Sequence, residues 1–330
     1  MDHAQKSRTI LWLVGHYPPV DNGGAEWMVH EINLHLIAQE GYRAIVCCKE
    51  APEPSFQGVE TTSLFARGRV RELVEQADVI CTHLEFSELA IYLARKCRRP
   101  LIHFVHNNIW AVEFLHQPEN LPNQYIVYNS QWLKEACNFP HPSMVVYPPV
   151  DWRNYVVTTN QRYITLINLT EWKGGKVLAE LARRMPDRAF LGIEGFRGEM
   201  VLEEGIPNLT YLPNTPDIRG IYAQTSILIM PSEYESWGRV GVEAMASGIP
   251  VIAHPTPGLQ ESLSYAGLFC HRDKIEDWME MIVRLDDPEF RGKVAQKCVQ
   301  RSRELDPARE LDEFAQFIEM ILQKQPADVR

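Results

Sequence analysis

The sequence lacks long apolar runs, and it has too little positive charge for a general nucleic-acid binder. No segment of the 330 residues reaches the ~18 uncharged apolar positions that a membrane-spanning helix requires. The early run ILWLVG is too short for a signal-peptide core, and no small-residue cleavage site follows it. The formal net charge is -10, whereas neutralising nucleic-acid phosphates requires clustered lysine and arginine. These absences argue against a membrane-spanning protein, a secreted protein and a general nucleic-acid binder.

Metal-type cysteine spacing is also absent. The seven cysteines are odd in number, which favours reduced thiols over a disulfide framework. Cys47 and Cys48 are adjacent in an apolar run, where buried strand residues are the simplest interpretation. This pattern predicts a cytoplasmic protein.

Short apolar runs alternate with helical patterns along the whole chain. At roughly 150 residues per domain, the length suggests about two domains. The predicted strands cover residues 9–15, 44–49, 79–84, 101–107, 125–130, 144–150, 163–169, 189–195, 209–213, 227–232 and 250–255. Strands that alternate with helices indicate βαβ units and parallel sheets, and apolar strands indicate helices on both faces. The predicted class is therefore α/β.

The best domain boundary is the segment YPPVDWRNYVVTTNQ, which has a proline pair and polar residues. It divides the chain into residues 1–150, residues 151–306 and a C-terminal segment, 307–330. The last segment contains LDEFAQFIEMIL, an amphipathic helix that could pack back on the first domain. Its apolar face comprises Leu311, Phe314, Ile318, Ile321 and Leu322.

A glycine pair, Gly23 and Gly24, follows the first strand and opens a helix. Glycine lets a backbone approach a ligand closely, and a helix N-terminus offers free N–H groups to a phosphate or sugar oxygen. A plain βα turn would look the same. The dinucleotide fingerprint G-x-G-x-x-G is absent.

Two glutamates, Glu235 and Glu243, flank Gly238 in the segment PSEYESWGRVGVEAMASGIPV. The pattern places Glu235 in a loop and Glu243 on a short helix that ends near Ser247. A carboxylate can accept hydrogen bonds from the vicinal hydroxyls of a ribose or hexose. Spacing alone would equally fit two exposed glutamates.

The whole segment resembles the nucleotide-binding signature of retaining glycosyltransferases of family 4, the group 1 type. That family has two glutamates separated by seven residues, an aromatic-glycine pair and E-A-M-A-x-G-x-P-V. GGAEWMVHEINLHLIAQEGY is similar to its first βα segment, and YPPVD to its interdomain linker. The resemblance implies the GT-B fold, with two Rossmann-like domains that face each other across a cleft. It also implies acceptor binding by the first domain and donor binding by the second.

The resemblance also implies roles for particular residues. Glu243 would bind the ribose hydroxyls, Glu235 the transferred sugar, and Gly24 would lie near the diphosphate or donor sugar. The complete donor-binding set is Gly23, Gly24, Asn168, Lys173, Glu235, Ser236, Trp237, Gly238, Arg239, Val240 and Glu243. The catalytic candidates are His106, Glu235 and Lys173.

Three histidines follow or end predicted strands of the first half. His106 resembles the family's active-site histidine near the donor sugar. His103 lies within the same predicted strand, and we favour a core histidine there. His83 ends the preceding strand and is a candidate for acceptor contact.

One departure from the family concerns the diphosphate site. The family usually has G-R-x-x-x-x-K-G after the first strand of its second domain, and this sequence has LINLTEWKGG. Lys173 matches the lysine, but Asn168 occupies the arginine position and brings no charge to a developing anion. Either Lys173 and helix N-termini suffice, or Arg239 or Lys176 contributes.

The resemblance implies that a nucleotide diphosphate sugar is a co-substrate and that no further cofactor is required. Tyr211, Leu212 and Pro213 are candidates for the nucleobase site, although a tyrosine at a strand end often serves packing. Since no Asp-x-Asp pair occurs and HEINLH lacks the H-E-x-x-H pattern, we predict no essential metal.

Basic residues cluster twice in the first half, and these clusters are either solvated helix faces or contacts for an anionic acceptor or membrane surface. They comprise Arg67, Arg69, Arg71, Arg95, Lys96, Arg98 and Arg99.

The reaction implied is transfer of a UDP- or GDP-linked sugar to a hydroxyl acceptor, with retention and a front-face mechanism. The acceptor could be a glycan, a lipid-linked sugar, a small molecule or a protein. A nucleotide-sugar epimerase, a sugar- or nucleotide-binding protein with weak catalysis and a DNA-modifying glucosyltransferase are the alternatives. No specific nucleic-acid partner is expected.

Overall fold

The computed structural model describes residues 7–52, 54–107, 115 and 123–325. It divides the chain into two compact units, one of residues 1–149 with 307–330 and the other of residues 150–306. The tail beyond Gln325, which belongs to the predicted C-terminal segment, lies outside the described residues.

The first unit contains an eight-stranded sheet in the order β3-β4-β2-β1-β5-β6-β7-β8. All neighbours pair in parallel except β3 and β4. The strands are β1 Arg8–Leu13, β2 Tyr42–Cys48, β3 Ser55–Phe56, β4 Val59–Ser63, β5 Val79–His83, β6 Leu101–Val105, β7 Gln124–Tyr128 and β8 Ser143–Val145. The helices are α1 Gly24–Ala38, α2 Arg67–Gln76, α3 Ser87–Cys97, α4 Gln131–Cys137 and the last helix, α11 Ala308–Gln323.

The central strand β1 is apolar because it is covered on both faces. Its residues from Ile10 to Leu13 are fully buried. The chain builds the sheet outward from β1 on one side and then crosses to β5 on the other, so β1 and β5 flank a topological switch point.

Helix α11 completes the core of this unit, as the predicted amphipathic face requires. Phe314 is fully buried and meets Phe104 of β6 edge to face, with ring centroids 5.6 Å apart. The Tyr42 hydroxyl also donates to the Ala315 carbonyl at 3.3 Å. The prediction that the C-terminal helix packs on the first domain is confirmed.

The second unit contains a six-stranded parallel sheet in the order β11-β10-β9-β12-β13-β14. The strands are β9 Tyr163–Ile167, β10 Phe190–Ile193, β11 Leu209–Leu212, β12 Thr225–Met230, β13 Val251–Ala253 and β14 Leu268–Phe269. The helices are α5 Gly175–Arg184, α6 Ile218–Tyr222, α7 Arg239–Met245, α8 Pro257–Leu263, α9 Ile275–Arg284 and α10 Pro288–Glu304. Here the switch point lies between β9 and β12.

All seven cysteines carry free thiols, and burial raises the pKa of the Cys47 thiol to about 12. Within the described residues, no helix is long and apolar enough to cross a membrane. No group of three or more His, Cys, Asp or Glu side chains in that same part of the chain is arranged to hold a metal ion.

Candidate active site

The loops after β9 and β12 meet because these strands are neighbours in the second sheet. Ile164 pairs with Ile227 and Thr165 with Leu228, so the two strands run side by side toward the same edge. In open parallel sheets, ligands bind outside the carboxyl ends of the strands at such a switch point. Most of the predicted donor-binding residues lie on these two loops and the helix α7 that follows.

Asn168 forms the turn directly after β9. Its backbone has φ +75°, a left-handed conformation that asparagine tolerates better than most residues. Its Oδ1 accepts hydrogen bonds from the backbone N–H of Thr170 at 3.1 Å and from the Thr170 hydroxyl at 3.0 Å. The side chain of Asn168 therefore closes the turn of its own loop. It does so at the position where the resemblance led us to expect an arginine.

Lys173 and Glu235 form an ion pair that joins the two loops. The carboxylate oxygen of Glu235 that receives the Lys173 ammonium also accepts a hydrogen bond from the Ser232 hydroxyl at 3.0 Å. The side chains of Lys173 and Glu235 are only 16% and 14% exposed. Close approach of the loops depends on Gly174, which has φ +104° and whose Cβ would lie 2.2 Å from Pro231. The structure thus brings two of the three predicted catalytic residues together.

The backbone from Ser236 to Val240 turns into α7 and packs on the start of α8. Gly238 has φ +87°, as the predicted loop-to-helix turn requires. Gly258 of α8 leaves no room for a side chain, since a Cβ there would lie 2.3 Å from the Glu235 carbonyl oxygen. Gly258 was not among the predicted site residues, although a glycine just inside the start of a helix in HPTPGLQES is a visible signal.

Glu243 is held by two neighbours in the interior of the second unit. Its Oε1 accepts from Arg239 Nε at 2.7 Å, and its Oε2 accepts from the Tyr222 hydroxyl at 2.8 Å. The Glu243 and Arg239 side chains are each 8% exposed, and Arg239 also donates to the Tyr155 hydroxyl at 2.7 Å. Burial and the adjacent carboxylate raise the pKa of Tyr222 well above its ordinary value, so it remains a donor.

Three cations are candidates for contact with a diphosphate, and the structure gives them different surroundings. The Arg239 guanidinium binds Glu243 and Tyr155, and the Lys176 ammonium pairs with the exposed Glu171 carboxylate at 2.6 Å. Lys173 is the lysine that lies between the loops after β9 and β12. Arg239 and Tyr222 position Glu243, a role that the sequence analysis did not assign to them.

In the first unit, ionisable side chains also gather at the switch point. His16 follows β1, and its two ring nitrogens lie 2.7 Å from Asp21 Oδ2 and 3.1 Å from Glu85 Oε1. The Lys49 ammonium, which follows β2, donates to the same Glu85 oxygen at 2.5 Å. Lys49, His16 and Glu85 thus connect three strand ends, and the sequence analysis missed all three.

His83 and His106 lie at the carboxyl ends of β5 and β6, with ring centroids 5.0 Å apart. Burial lowers the pKa of His106 to about 4 and, together with the neighbouring histidines, holds the pKa of His83 well below its ordinary value. Both rings are therefore neutral at pH 7. The Nε2 atom of His106 is buried and has no hydrogen-bond partner among the described residues.

His103 differs from this pair. Its Nε2 lies 3.3 Å from the Ser87 hydroxyl, and burial lowers the pKa of the ring to about 3. It is fully buried, which fits the core position that we favoured for it.

The glycine pair opens α1, as the sequence predicts. Gly23 is the N-cap residue, and Gly24 is exposed. No described atom lies within 4 Å of where a Cβ of Gly24 would be. Packing within the chain therefore does not require glycine at position 24, and the space is open to a ligand.

The nucleobase candidates end the edge strand β11. The Tyr211 hydroxyl accepts from the Glu203 backbone N–H at 3.0 Å, and its ring packs so closely on Gly192 that a Cβ there would lie 2.9 Å away. These contacts give Tyr211 a packing role, whereas Leu212 and Pro213 are exposed.

Three residues of the basic clusters in the first unit contact acidic side chains or a carbonyl group. Arg69 pairs with Glu60, Arg71 pairs with Glu75, and Arg99 donates to the Glu75 carbonyl at 2.7 Å. Such exposed pairs favour the solvated-face interpretation.

Residues 163–287 match the sequence model of the family "Glycosyl transferases group 1". A D-inositol 3-phosphate glycosyltransferase of Arthrobacter sp. (strain FB24) is 37% identical over 82 residues, which are 24% of this chain and 20% of that protein. An uncharacterized glycosyltransferase of Haemophilus influenzae is 28% identical over 156 residues, which are 42% of this chain and 43% of that protein. The chain thus spans less than half the length of these curated relatives.

Solved structures match almost the whole chain. A glycosyltransferase from Rickettsia africae ESF-5 has a TM-score of 0.76 at 17% identity, covering 97% of this chain and 100% of that one. Anabaena Alr3699/HepE in complex with UDP-glucose has a TM-score of 0.73 at 17% identity, covering 96% and 100%. The resemblance carried by ESWGRVGVEAMASGIPV is confirmed: the second unit carries a glycosyltransferase group 1 domain, and the chain has the fold of GT-B glycosyltransferases.

Proposed function

We propose that this protein is a retaining glycosyltransferase that moves a sugar from a nucleotide diphosphate donor to a hydroxyl acceptor. The observation that carries the proposal is the meeting of Lys173, Glu235 and Ser232 at the switch point of the second sheet, with Glu243 on the following helix. This set supplies one cation, two carboxylates and a helix-opening backbone. A diphosphate, a hexose and a ribose require groups of these kinds.

The two glutamates have different surroundings that suit different hydroxyl groups. Both oxygens of Glu243 already accept one hydrogen bond, and each carboxylate oxygen retains a further lone pair for a ribose hydroxyl. Glu235 has one oxygen occupied by Lys173 and Ser232, so its other oxygen is the candidate acceptor for a sugar hydroxyl. Lys173 would stabilise the charge that develops on the departing diphosphate.

The proposed step is a front-face substitution. The bond between the anomeric carbon and the diphosphate oxygen breaks, and the acceptor oxygen bonds to the same face of that carbon. The acceptor proton passes to the departing phosphate oxygen, so no enzymic nucleophile is required. His106, neutral and with an unoccupied Nε2 among the described residues, would contact the donor sugar, while His83 beside it would contact the acceptor.

We propose UDP or GDP as the donor nucleotide, with no resident cofactor or essential metal, and a cytoplasmic location. Support for UDP comes from the fold of Anabaena Alr3699/HepE, whose structures contain UDP and glucose or UDP-glucose. Seven free thiols, six of them buried, are consistent with a reducing compartment.

A thermal-shift screen with UDP, GDP, ADP and their sugar conjugates tests the donor. A ligand at 100 times its dissociation constant stabilises the folded state by about 2.7 kcal/mol. Glu243→Gln should weaken nucleotide binding in calorimetry, whereas Glu289→Gln, an exposed glutamate of α10 paired with Lys293, should not. Unchanged affinity in Glu243→Gln would remove its ribose role.

Product analysis distinguishes a glycosyltransferase from two alternatives, an epimerase and a binding protein with weak catalysis. An epimerase would convert the donor in the absence of an acceptor, which NMR of the donor incubated alone detects. A binding protein with weak catalysis is favoured by Asn168, whose side chain closes its own turn and adds no charge. That alternative predicts tight nucleotide-sugar binding without measurable transfer to any acceptor.

A further inference from the structure

Trp172 is a half-exposed tryptophan beside the Lys173–Glu235 ion pair. Its side chain is large and apolar, yet 45% of the residue is exposed. Single exposed apolar residues are common on protein surfaces and need no explanation by themselves. The surroundings of Trp172 distinguish it, because both its backbone and its ring contact the loops of the candidate donor site.

The backbone of Trp172 is fixed by the loop after β12. Its carbonyl accepts from the Glu233 N–H at 2.9 Å and from Arg272 Nη1 at 3.4 Å. Arg272 also donates to the Glu171 carbonyl and pairs with the Glu233 carboxylate at 2.8 Å. The carbonyls of Glu171 and Trp172 in the short 3₁₀ turn are thus both held, so little backbone conformational entropy would be lost when a ligand packs on the indole.

The ring of Trp172 lies next to the carboxylate that we assign to the transferred sugar. The Lys173 ammonium is 4.4 Å from the indole centroid, and the same ammonium pairs with Glu235. The two charged side chains are mostly shielded, at 16% and 14% exposure, whereas the indole is open to solvent. An aromatic surface and a hydrogen-bonding carboxylate therefore stand side by side.

We infer that Trp172 is a specificity-determining residue that packs its indole against the C–H face of the donor pyranose while Glu235 accepts hydrogen bonds from the pyranose hydroxyls. A pyranose has polar edges and apolar C–H faces, and the negative face of an aromatic ring attracts the positive ends of C–H bonds. This inference rests on the proposed function, because it names a further residue for the same donor. It assigns Trp172 to the sugar and to no part of the nucleotide.

The test compares affinity for a bare nucleotide with affinity for its sugar conjugate. Calorimetry is run with whichever pair the wild type binds, UDP with UDP-glucose or GDP with GDP-mannose. We expect Trp172→Ala to weaken binding of the conjugate about three- to tenfold and to leave binding of the bare nucleotide unchanged. Trp172→Phe keeps an aromatic face and should retain most of the affinity for the conjugate.

Tyr265→Ala is the matched control, because Tyr265 has the same 45% exposure in the same unit but precedes β14 and so lies at the opposite end of the sheet. Its affinities should equal those of the wild type, and thermal unfolding should show that every variant is folded. If Trp172→Ala binds both ligands as the wild type does, or loses affinity for both equally, the assignment to the sugar is wrong. A wild type that binds neither pair contradicts the proposed function itself, and the inference falls with it.

Discussion

Arg239 and Glu243 lie one turn apart on α7, and the Arg239 Nε–H donates to Glu243 Oε1 at 2.7 Å in the interior of the second unit. The Tyr222 hydroxyl fixes the other carboxylate oxygen. The carboxylate is therefore oriented before any ligand arrives, and its desolvation is offset by a cation and a hydroxyl donor. Arg239, which directly follows the Trp237–Gly238 pair, thus orients the carboxylate of Glu243 four residues later.

Arg239→Gln should destabilise the protein and weaken nucleotide binding. Removing one partner of a buried ion pair leaves an uncompensated charge, which typically costs about 3–5 kcal/mol. Urea unfolding measures the loss. Arg309→Gln is the control, since Arg309 forms an exposed pair with Glu313, and it should change the free energy of unfolding by about 1 kcal/mol or less. Equal losses in the two variants would contradict the account of α7.

Stability should fall as the pH is lowered from about 6.5 toward 4. The folded state holds His106 with a pKa of about 4, below the ordinary value of 6.5, so the unfolded state binds more protons in this window. Each such histidine costs roughly 1.4 kcal/mol per pH unit between the two pKa values, and His83 acts in the same direction. His106→Gln should reduce the slope of unfolding free energy against pH. A slope identical to that of the wild type would show that His106 is not buried as a neutral ring.

Gly258→Ala should disturb the loop that carries Glu235. The new Cβ would lie 2.3 Å from the Glu235 carbonyl oxygen and 2.4 Å from the Ser236 carbonyl carbon, so the backbone must shift. We expect a loss of about 1–3 kcal/mol in unfolding free energy and weaker binding of the donor sugar. Gly292→Ala on α10, where no described atom is within 4 Å, should instead be neutral or slightly stabilising. Thermal unfolding and calorimetry on both variants provide the comparison.

Asn168→Arg should not strengthen the diphosphate site. Position 168 has φ +75°, which arginine adopts only with strain, and the substitution also removes both hydrogen bonds to Thr170. We expect a loss of about 1–3 kcal/mol in stability, with Asn168→Gly milder because glycine adopts this φ freely. A stable arginine variant with faster sugar transfer would overturn this interpretation of the loop.

The central strands and the donor motifs were predictable because their signals are local. β1, β6 and β9 are apolar runs bounded by turns, and α7 starts at Arg239 as the glycine before it suggests. β3, β4 and β14 were not predicted. β3 and β14 have only two residues each. β4 has the sequence VETTS, which is too polar to be identified as a strand by an apolar run, and it lies near the edge of the sheet.

Contacts between residues that are distant in the chain could not be predicted from the spacing of residues in the sequence. The Tyr222–Glu243 bond, the packing of Gly258 on the Glu235 carbonyl and the His16–Glu85 contact each join different loops or helices. Asn168 shows the converse case. Its place in the motif suggested a missing charge, whereas its backbone conformation gives a local reason for asparagine.

Helix α11 has a consequence for how the protein is made. The second unit is one continuous stretch, residues 150–306, whereas the first unit is assembled from residues 1–149 and a segment after 306. Phe314 is among the largest fully buried side chains and meets Phe104 in the core of the first unit. During synthesis, the face of the first sheet that contains Phe104 therefore stays uncovered until α11 emerges from the ribosome. The later unit can complete its own core first, so the order of maturation is the reverse of the order of translation.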